Sequence, residues 1–324
     1  MTFIASVVAK KGVAIIADSL VTSSRQVIEL EDFAKYIEQK EEQSQGGNQI
    51  ALDAQEIANL FKLKPSFTKD YEEKLFEYDN FTAITTAGAA VLNGKRIEAV
   101  ISEIKAVNEV DVAYIDLPIE EKVENFVSLI DARVKQHLVT FKSIGSLVFI
   151  ITHYIVSSNE TVIFRVEVPG LTENDIRGAE ILVNFSKYAS FYKVVCEGQN
   201  RTTDKVLFGD LLTAYYLVPA IAKKILKDFN IEDKDMPEGY IDSLLQDGSI
   251  ITEAMQEEMK LAKLNELSLQ QAVELAALLM HIEMDLQKYT EKIPSVGGVI
   301  KLAVIDRKGF RFVSGDEITK PNNL

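Results

Sequence analysis

Two short apolar runs at the start of the chain predict a β-hairpin. The first run begins at Thr2 and the second ends at Asp18, with Lys10-Lys11-Gly12 between them. A charged pair followed by glycine between two runs of β-forming residues is typical of a tight turn. Antiparallel pairing of the runs would bring the two ends together, so the sequence predicts that Asp18 lies near Thr2.

A second hairpin is predicted between Lys74 and Gly88. Its turn falls at Asp79-Asn80, and its second strand ends in small residues at Gly88. Apolar residues then recur at helical spacing from Ala90 to Ile104, which predicts a helix directly after the glycine. A strand, a glycine turn and a helix in this order aim backbone N–H groups at one point, which is typical of an anion-binding site.

The residues between these hairpins, approximately 23–73, differ in composition from both flanks. Residues 38–47 are too polar to fold by themselves, whereas Asp53 to Leu63 form a short amphipathic piece. We interpret this stretch as an insertion that is partly helical and partly loop. A second insertion is predicted at approximately 230–263, where the chain is acidic and is interrupted by proline and glycine.

The rest of the chain is predicted to alternate between strands and helices. The predicted elements are a helix at Ile119–Leu138, strands at Leu147–Val156, Thr161–Val168, Ile181–Phe185 and Ser190–Val195, a helix at Thr203–Phe229 kinked by Pro219, a helix at Ser268–Tyr289 capped by Ser268, and a last hairpin at Ser295–Val313. This order predicts one α+β domain over residues 1–324. Its fold would be a four-layer αββα sandwich, with two antiparallel sheets face to face and a helix pair on each outer side.

Charge and apolar content narrow the classes of ligand. Asp and Glu number 49 against 35 Lys and Arg, which gives a formal net charge of -14. Such a surface repels polyanions, so nucleic acid is not expected as a main ligand. The apolar run Leu147–Val156 is too short to span a bilayer, and we therefore expect no membrane association.

Three further features favour a cytoplasmic protein without a cofactor. The charges of Lys10 and Lys11 follow the first apolar run, the reverse of a secretory signal. A single cysteine, Cys196, excludes an internal disulfide and suits a reducing compartment. The three histidines are far apart and have no cysteine companions, so no metal site is predicted.

Two sequence blocks resemble the proteasome β-type family of N-terminal nucleophile hydrolases. In that family Gly-Val-x-x-Ala-x-Asp-Ser closes the second strand, and Gly12-Val-Ala-Ile-Ile-Ala-Asp18-Ser19 is similar to it. Asp18 follows Thr2 by sixteen residues, which is the spacing of the family. Lys74 precedes Gly88 in Thr85-Thr86-Ala87-Gly88 by fourteen residues, which is again the family's spacing.

The resemblance implies a threonine peptidase or amidohydrolase that acts after removal of Met1. Thr2 would be the nucleophile, and its free α-amine, with a reference pKa of about 7.7 to 8.0, would be the base. Lys74 would favour the alkoxide and Asp18 would hold Lys74. The N–H of Gly88 would bind the oxyanion. No cofactor is implied.

A later segment, Lys292-Ile-Pro-Ser295-Val-Gly297-Gly298, is similar to the family's Asp-x-x-Ser-Gly-Gly, which makes Ser295 a candidate supporting residue. The family's other serine would fall at 197–200, where this chain has none. By the same resemblance, Leu20, Thr86 and Ala90 would form the pocket for the side chain before the cleaved bond, with an apolar preference.

The resemblance covers residues 2–22 and 74–96 by motif and points to bacterial proteasome-like peptidases such as the Anbu group, which have no N-terminal propeptide. It implies a peptide or protein substrate, a homo-oligomer such as a ring, and an ATPase that unfolds substrates as a further partner. Two alternatives stay open. One is a catalytically inactive structural or assembly subunit, and the other is a hydrolase of small amides with the same fold.

Overall fold

The structure is a computed structural model that describes residues 2–43, 52–70, 72–177, 181–190, 193–208, 221, 224, 264–289 and 294–315. Within them the helices are α1 (Leu30–Gln43), α2 (Ala54–Asn59), α3 (Ile97–Glu109), α4 (Val112–Ile115), α5 (Ile119–Phe141), α6 (Arg201–Phe208) and α7 (Leu269–Gln287). Short 3-10 helices lie at Glu173–Arg177 and Leu264–Glu266. The strands are β1 (Phe3–Ala9), β2 (Gly12–Ala17), β3 (Leu20–Val27), β4 (Lys62–Asp70), β5 (Leu75–Asp79), β6 (Thr82–Gly88), β7 (Val91–Leu92), β8 (Lys95–Arg96), β9 (Ser143–Ile144), β10 (Leu147–Ile155), β11 (Glu160–Val168), β12 (Leu171–Thr172), β13 (Asn184–Lys187), β14 (Val194–Gly198), β15 (Lys301–Asp306) and β16 (Gly309–Ser314).

Two five-stranded antiparallel sheets dominate the described fold. The first sheet has the order β14-β1-β2-β15-β16 and the second has the order β13-β11-β10-β6-β5. The two predicted N-terminal hairpins are confirmed, because β1 pairs with β2 and β5 pairs with β6. The prediction of an α+β fold with antiparallel sheets is confirmed as well.

β1 is buried along its whole length because both of its faces are covered. Alternate side chains of a strand point to opposite faces. On one face Phe3 and Val7 belong to a cluster with Ala276 and Leu279 of α7. On the other face Ile4 belongs to a cluster that contains residues of both five-stranded sheets, among them Leu75, Ala83, Val148, Ile150 and Ala303.

The helices α3 and α5 cover the second sheet with a cluster of their own. Ile101 and Ile104 of α3 join Phe126 and Ile130 of α5 against Phe149 of β10. The rings of Phe126 and Phe149 meet edge to face, with 5.3 Å between their centres. The apolar stripe that predicted α5 from Ile119 onward is therefore the stripe that packs on the sheet.

The insertion after Asp18 contains strands as well as helix and loop, which corrects the prediction. β3 and β4 pair antiparallel from Leu20 opposite Asp70 to Val27 opposite Lys62 and form a two-stranded ribbon. Residues 38–43 belong to α1 although their composition is strongly polar. Within this stretch, Lys40 Nζ of α1 lies 2.7 Å from Glu56 Oε2 of α2. Residues 44–51 lie outside the described ranges.

The predicted start of the helix at Ala90 is wrong. A small hairpin, β7 with β8, comes first, and α3 begins at Ile97. The turn residues Asn93 and Gly94 have φ values of 50° and 75°, as in the two-residue turn for which Asn-Gly is preferred. The expected helix N-terminus directly after Gly88 is therefore not formed.

Three other predicted strands have different bounds. Those predicted at Ile181–Phe185 and Ser190–Val195 are Asn184–Lys187 and Val194–Gly198, and the last hairpin begins at Lys301. Before β13, the N–H of Leu182 donates to Asp131 Oδ1 (2.6 Å). This buried apolar residue therefore packs on α5 ahead of the strand.

Ser268 caps α7 as predicted. Its hydroxyl accepts from the N–H of Gln271 (3.2 Å), and its own N–H donates to Gln271 Oε1 (2.9 Å), which is a capping box. The predicted helix after Thr203 is described only to Phe208 as a continuous element, and its kink at Pro219 and the insertion at 230–263 lie outside the described residues. Among the helices that the structure describes, none is both long enough and apolar enough to cross a bilayer.

Candidate active site

Thr2 is held at the start of β1 by two other strands. Its carbonyl accepts a hydrogen bond from the N–H of Gln199 (2.6 Å), just after β14. The N–H of the next residue, Phe3, donates to Asp18 Oδ1 (3.0 Å), just after β2. Thr2 is 5% exposed, so its backbone is fixed while a small part of its surface stays open.

Asp18 joins four segments that are distant in sequence. Its Oδ1 atom accepts from Phe3 N–H and from Lys74 Nζ (2.9 Å). Its Oδ2 atom accepts from the N–H groups of Leu20 (3.2 Å) and Gly297 (3.1 Å). Asp18 is 1% exposed, so its carboxylate is buried, and the four N–H donors replace the water molecules that would bind it in solution.

Lys74 lies just before β5 and is buried against Asp18. Its ammonium donates to Asp18 Oδ1 and to the carbonyl of Leu20 (2.6 Å). The predicted pairing of Lys74 with Asp18 is thus present in the fold. The pair connects the hairpin of β1 and β2, which ends at Asp18, to the hairpin of β5 and β6, which Lys74 precedes.

Burial acts on the pKa of both members of this pair. It is the largest influence on Lys74 and lowers its pKa, while Asp18 acts in the opposite direction. Burial also raises the pKa of Asp18, and Lys74 and the N–H groups of Phe3 and Gly297 oppose that rise.

Two glycines allow the chain to come close to the site. Gly198 has a φ of 91°, and a Cβ atom there would lie 1.9 Å from the carbonyl oxygen of Thr2. Gly88 has a φ of 108°, and a Cβ atom would lie 2.2 Å from the carbonyl oxygen of Ser146. Any larger residue at either position would push a strand end away from the site.

The direction of the Gly88 N–H follows from its strand. In β6 the N–H of Thr86 donates to the carbonyl of Lys74 (3.1 Å). Because N–H groups of alternate residues in a strand point to the same side, that of Gly88 points beyond Leu75, where β5 begins. Gly88 and Lys74 are both in the wall of the same cavity.

A cavity of about 440 Å³ collects most of the predicted site residues. This volume is in the range of small-ligand sites. The predicted residues in its wall are Thr2, Leu20, Lys74, Thr86, Gly88 and Ala90. Asp18 lies behind the wall through its contact with Lys74.

Ser295 lies in a different network, next to two glutamines. Its hydroxyl contacts the side-chain oxygens of Gln199 and Gln287, and its N–H donates to Gln287 Oε1 (2.5 Å). Gln199 in turn donates its N–H to Thr2. Ser295 is therefore connected to Thr2 through Gln199, in the segment 197–200 where the family resemblance places a serine.

Sequence reasoning missed Glu72, Glu73 and Lys301. Glu72 and Glu73 line the cavity, and Glu73 Oε2 lies 2.5 Å from Lys301 Nζ in a second buried ion pair. Lys301 begins the apolar strand that continues from Leu302 to Ile305. A lysine buried in such a strand needs an acidic partner, and this was the sequence signal for the pair.

No model of a known protein family matches this chain, and no curated protein matches it in sequence. Among the residues that the structure describes, no three His, Cys, Asp or Glu side chains are grouped as metal ligands. The interpretation of the site therefore depends on its hydrogen bonds, its burial and its cavity.

Proposed function

We propose that the protein is an N-terminal threonine hydrolase that cleaves amide bonds in peptides. One observation carries the proposal: Lys74 Nζ lies 2.9 Å from Asp18 Oδ1, and Lys74 shares a cavity wall with Thr2. A buried ammonium that a carboxylate orients can assist a threonine nucleophile, which also needs a base next to its hydroxyl.

The reaction requires Thr2 to be the first residue of the mature chain. The Thr2 hydroxyl would attack the substrate carbonyl and pass its proton to the free α-amine, directly or through water. The amide C–N bond would then break, the proton would go to the leaving amine, and water would hydrolyse the ester on Thr2. With Met1 attached, the amine is part of an amide and this base is lost.

Lys74 would stabilise negative charge on the Thr2 oxygen. An ammonium has three N–H donors, and the described contacts use two of them on Asp18 and the Leu20 carbonyl. In this proposal the third would donate to the Thr2 hydroxyl, which lies in the same cavity wall. The N–H of Gly88 would bind the oxyanion, a contact of roughly 3 to 4 kcal/mol in comparable sites.

The same proposal includes the finer architecture, a four-layer αββα sandwich. The cluster that contains residues of both sheets supports the two inner layers. The clusters around α7 and around α3 with α5 support the outer layers. By the resemblance to proteasome-like peptidases, the protein would act in the cytoplasm as a homo-oligomer, with an ATPase as a further partner.

A catalytically inactive assembly subunit is the second candidate. Gln199 favours it, because the resemblance places a serine in this segment and Gln199 binds Ser295 instead. The contact between Asp18 and Lys74 favours the enzyme.

A peptide epoxyketone distinguishes the two candidates, since it forms its ring only with an N-terminal nucleophile and a free α-amine. The enzyme predicts an adduct on the N-terminal peptide that begins at Thr2, seen by mass spectrometry. Thr2→Ala protein should give no adduct and cleave no peptide. An unmodified peptide that still carries Met1, in protein from the native host, would support the inactive subunit.

A further inference from the structure

We propose that the cavity beside Thr2 binds a cationic group, an alkylammonium or a guanidinium, on the carboxylate of Glu72. The inference builds on the proposed function, in which the cation would be the side chain of the residue before the cleaved bond. In this proposal Glu72 determines which side chain is preferred before the cleaved bond.

Glu72 has a buried carboxylate oxygen without a partner. Its side chain is 9% exposed and lines the cavity. Oε2 lies 3.4 Å from Arg96 Nη1, but Oε1 has no hydrogen-bond partner within the described part of the chain. A buried polar atom without a partner is destabilising, and more so when it is charged, so a donor from a ligand would be bound favourably there.

A second unpartnered atom limits the type of ligand. Thr86 Oγ1 is also buried in the cavity wall without a hydrogen-bond partner among the described residues. Both Glu72 Oε1 and this hydroxyl can accept hydrogen bonds. Ammonium and guanidinium groups carry several N–H donors and no acceptor, so a cation suits a wall whose two unpartnered atoms both accept.

The other charges in the wall are already paired. Lys74 binds Asp18, and Glu73 binds Lys301 at 2.5 Å. The partner of Glu72 is different, because the Arg96 side chain is 40% exposed and can move into water when a cation enters. Glu72 is therefore the charged group that a substrate can reach at the lowest cost.

The wall also suits the stem of a long cationic side chain. Leu20 and Ala90 supply apolar surface in the same cavity. Lysine and arginine side chains bury their methylene stems on apolar surface and keep a polar contact for the charged head. The predicted apolar pocket would thus receive the stem, and Glu72 would receive the charge.

Peptide hydrolysis tests the inference on the active enzyme. Peptides that differ only in arginine, leucine or glutamate before the scissile bond should rank in that order, with arginine ahead of leucine by at least about tenfold in kcat/KM. Glu72→Gln should remove this preference, so that the ratio of kcat/KM for arginine over leucine falls to about one. The matched control is Glu77→Gln, an exposed carboxylate of β5, which should keep the preference.

Binding tests the same inference without catalysis. In full-length Thr2→Ala protein, saturation-transfer NMR should detect butylguanidinium but not the neutral butylurea. Glu72→Gln should abolish the signal, and Arg96→Gln, which removes the competing cation from a half-exposed position, should strengthen it. Butylguanidinium binding to Thr2→Ala protein, together with a parent protein that begins at Thr2 and cleaves no peptide, would keep the cation site and reject the hydrolase.

Two results would overturn the inference while the hydrolase stands. One is a preference for leucine that Glu72→Gln leaves unchanged. The other is equal binding of butylguanidinium and butylurea, which would mean that water satisfies Glu72 and the cavity does not select charge. Melting temperatures of Glu72→Gln and Arg96→Gln close to that of the parent protein show that the variants are folded.

Discussion

Two polar networks adjoin Thr2, and they differ in chemistry. The charged network consists of Asp18, Lys74 and the carbonyl of Leu20. The amide network consists of Gln199, Ser295 and Gln287, which are neutral. The first can stabilise a charge that develops on Thr2, whereas the second can only hold chain segments in place. Proximity to Thr2 therefore does not by itself assign a catalytic role.

The largest effect is expected from Lys74→Met in the charged network. The change leaves Asp18 buried without its cation, and breaking a buried pair in this way costs about 3 to 5 kcal/mol in unfolding free energy. Loss of the charge should also lower kcat by about 10³-fold or more. Urea unfolding and peptide hydrolysis measure the two effects.

The control for Lys74→Met is Lys95→Met, which removes an exposed lysine that lies 2.5 Å from Glu103. Surface pairs contribute about 0 to 1 kcal/mol, so stability and activity should change little. A folded Lys74→Met protein with the activity of the parent would remove Lys74 from the mechanism.

The next largest effect is expected from Gln287→Leu in the amide network. Gln287 Oε1 accepts from the N–H groups of Ser295 (2.5 Å) and Val296 (3.1 Å). Their loss leaves two buried donors without a partner, at about 1 to 3 kcal/mol each. Activity per folded molecule should fall by no more than about tenfold, because no charge is lost. Gln270→Leu, on the exposed face of α7, is the matched control.

A smaller, pH-dependent effect is expected from Asp204→Asn in α6. Burial, together with Glu283 and Glu197, raises the pKa of Asp204 from 3.8 to about 6. A raised pKa means that the folded state binds the proton more tightly, so the contribution of Asp204 to stability is full at acid pH and is lost as the pH rises through about 6.

Asp204→Asn should therefore stabilise the protein by about 1 kcal/mol near pH 7.5, after allowance for the partial exposure of this side chain. The gain should shrink towards pH values of about 4. Urea unfolding at both pH values measures it. An equal gain at both would show that the charge of Asp204 is not its cause.

The smallest effect is expected from Ser295→Ala. The hydroxyl contacts with Gln199 and Gln287 disappear, but the backbone N–H to Gln287 remains. The loss should be about 0.5 kcal/mol in stability, the lower end for one hydrogen bond, and up to about threefold in kcat/KM. A loss as large as that of Lys74→Met would place Ser295 among the reacting groups and remove the contrast between the networks.

The charged network could be predicted from sequence, one part of it from local patterns and the other from the family resemblance. Each of its residues sits at the end of a short hairpin, where the strand register fixes the position of Asp18 beside Phe3. The contact between Asp18 and Lys74 spans a separation of 56 residues, and only the family spacing indicated it.

The amide network and the Glu72 carboxylate could not be predicted in the same way. Gln287 lies at the end of α7, and Gln199 follows β14, an edge strand of the first sheet. Only the packing of α7 on this sheet brings both residues to Ser295. The turn residues Asn93-Gly94 indicate a hairpin, but the apolar residues from Ala90 to Ile104 recur at helical spacing and led to the prediction of a helix instead.

The ribbon of β3 and β4 separates the site from the segment that connects these two strands, so the length of that segment does not affect the site. It begins at Leu20, next to Asp18, and the N–H of Glu72 closes it by donating to the carbonyl of Ser19 (3.1 Å). Its two ends therefore stay together whatever the length of the segment at its far end, and lengthening a closed loop costs little free energy. That far end is a position where sequence can be exchanged, shortened or fused to another domain while Asp18 and Lys74 keep their contact.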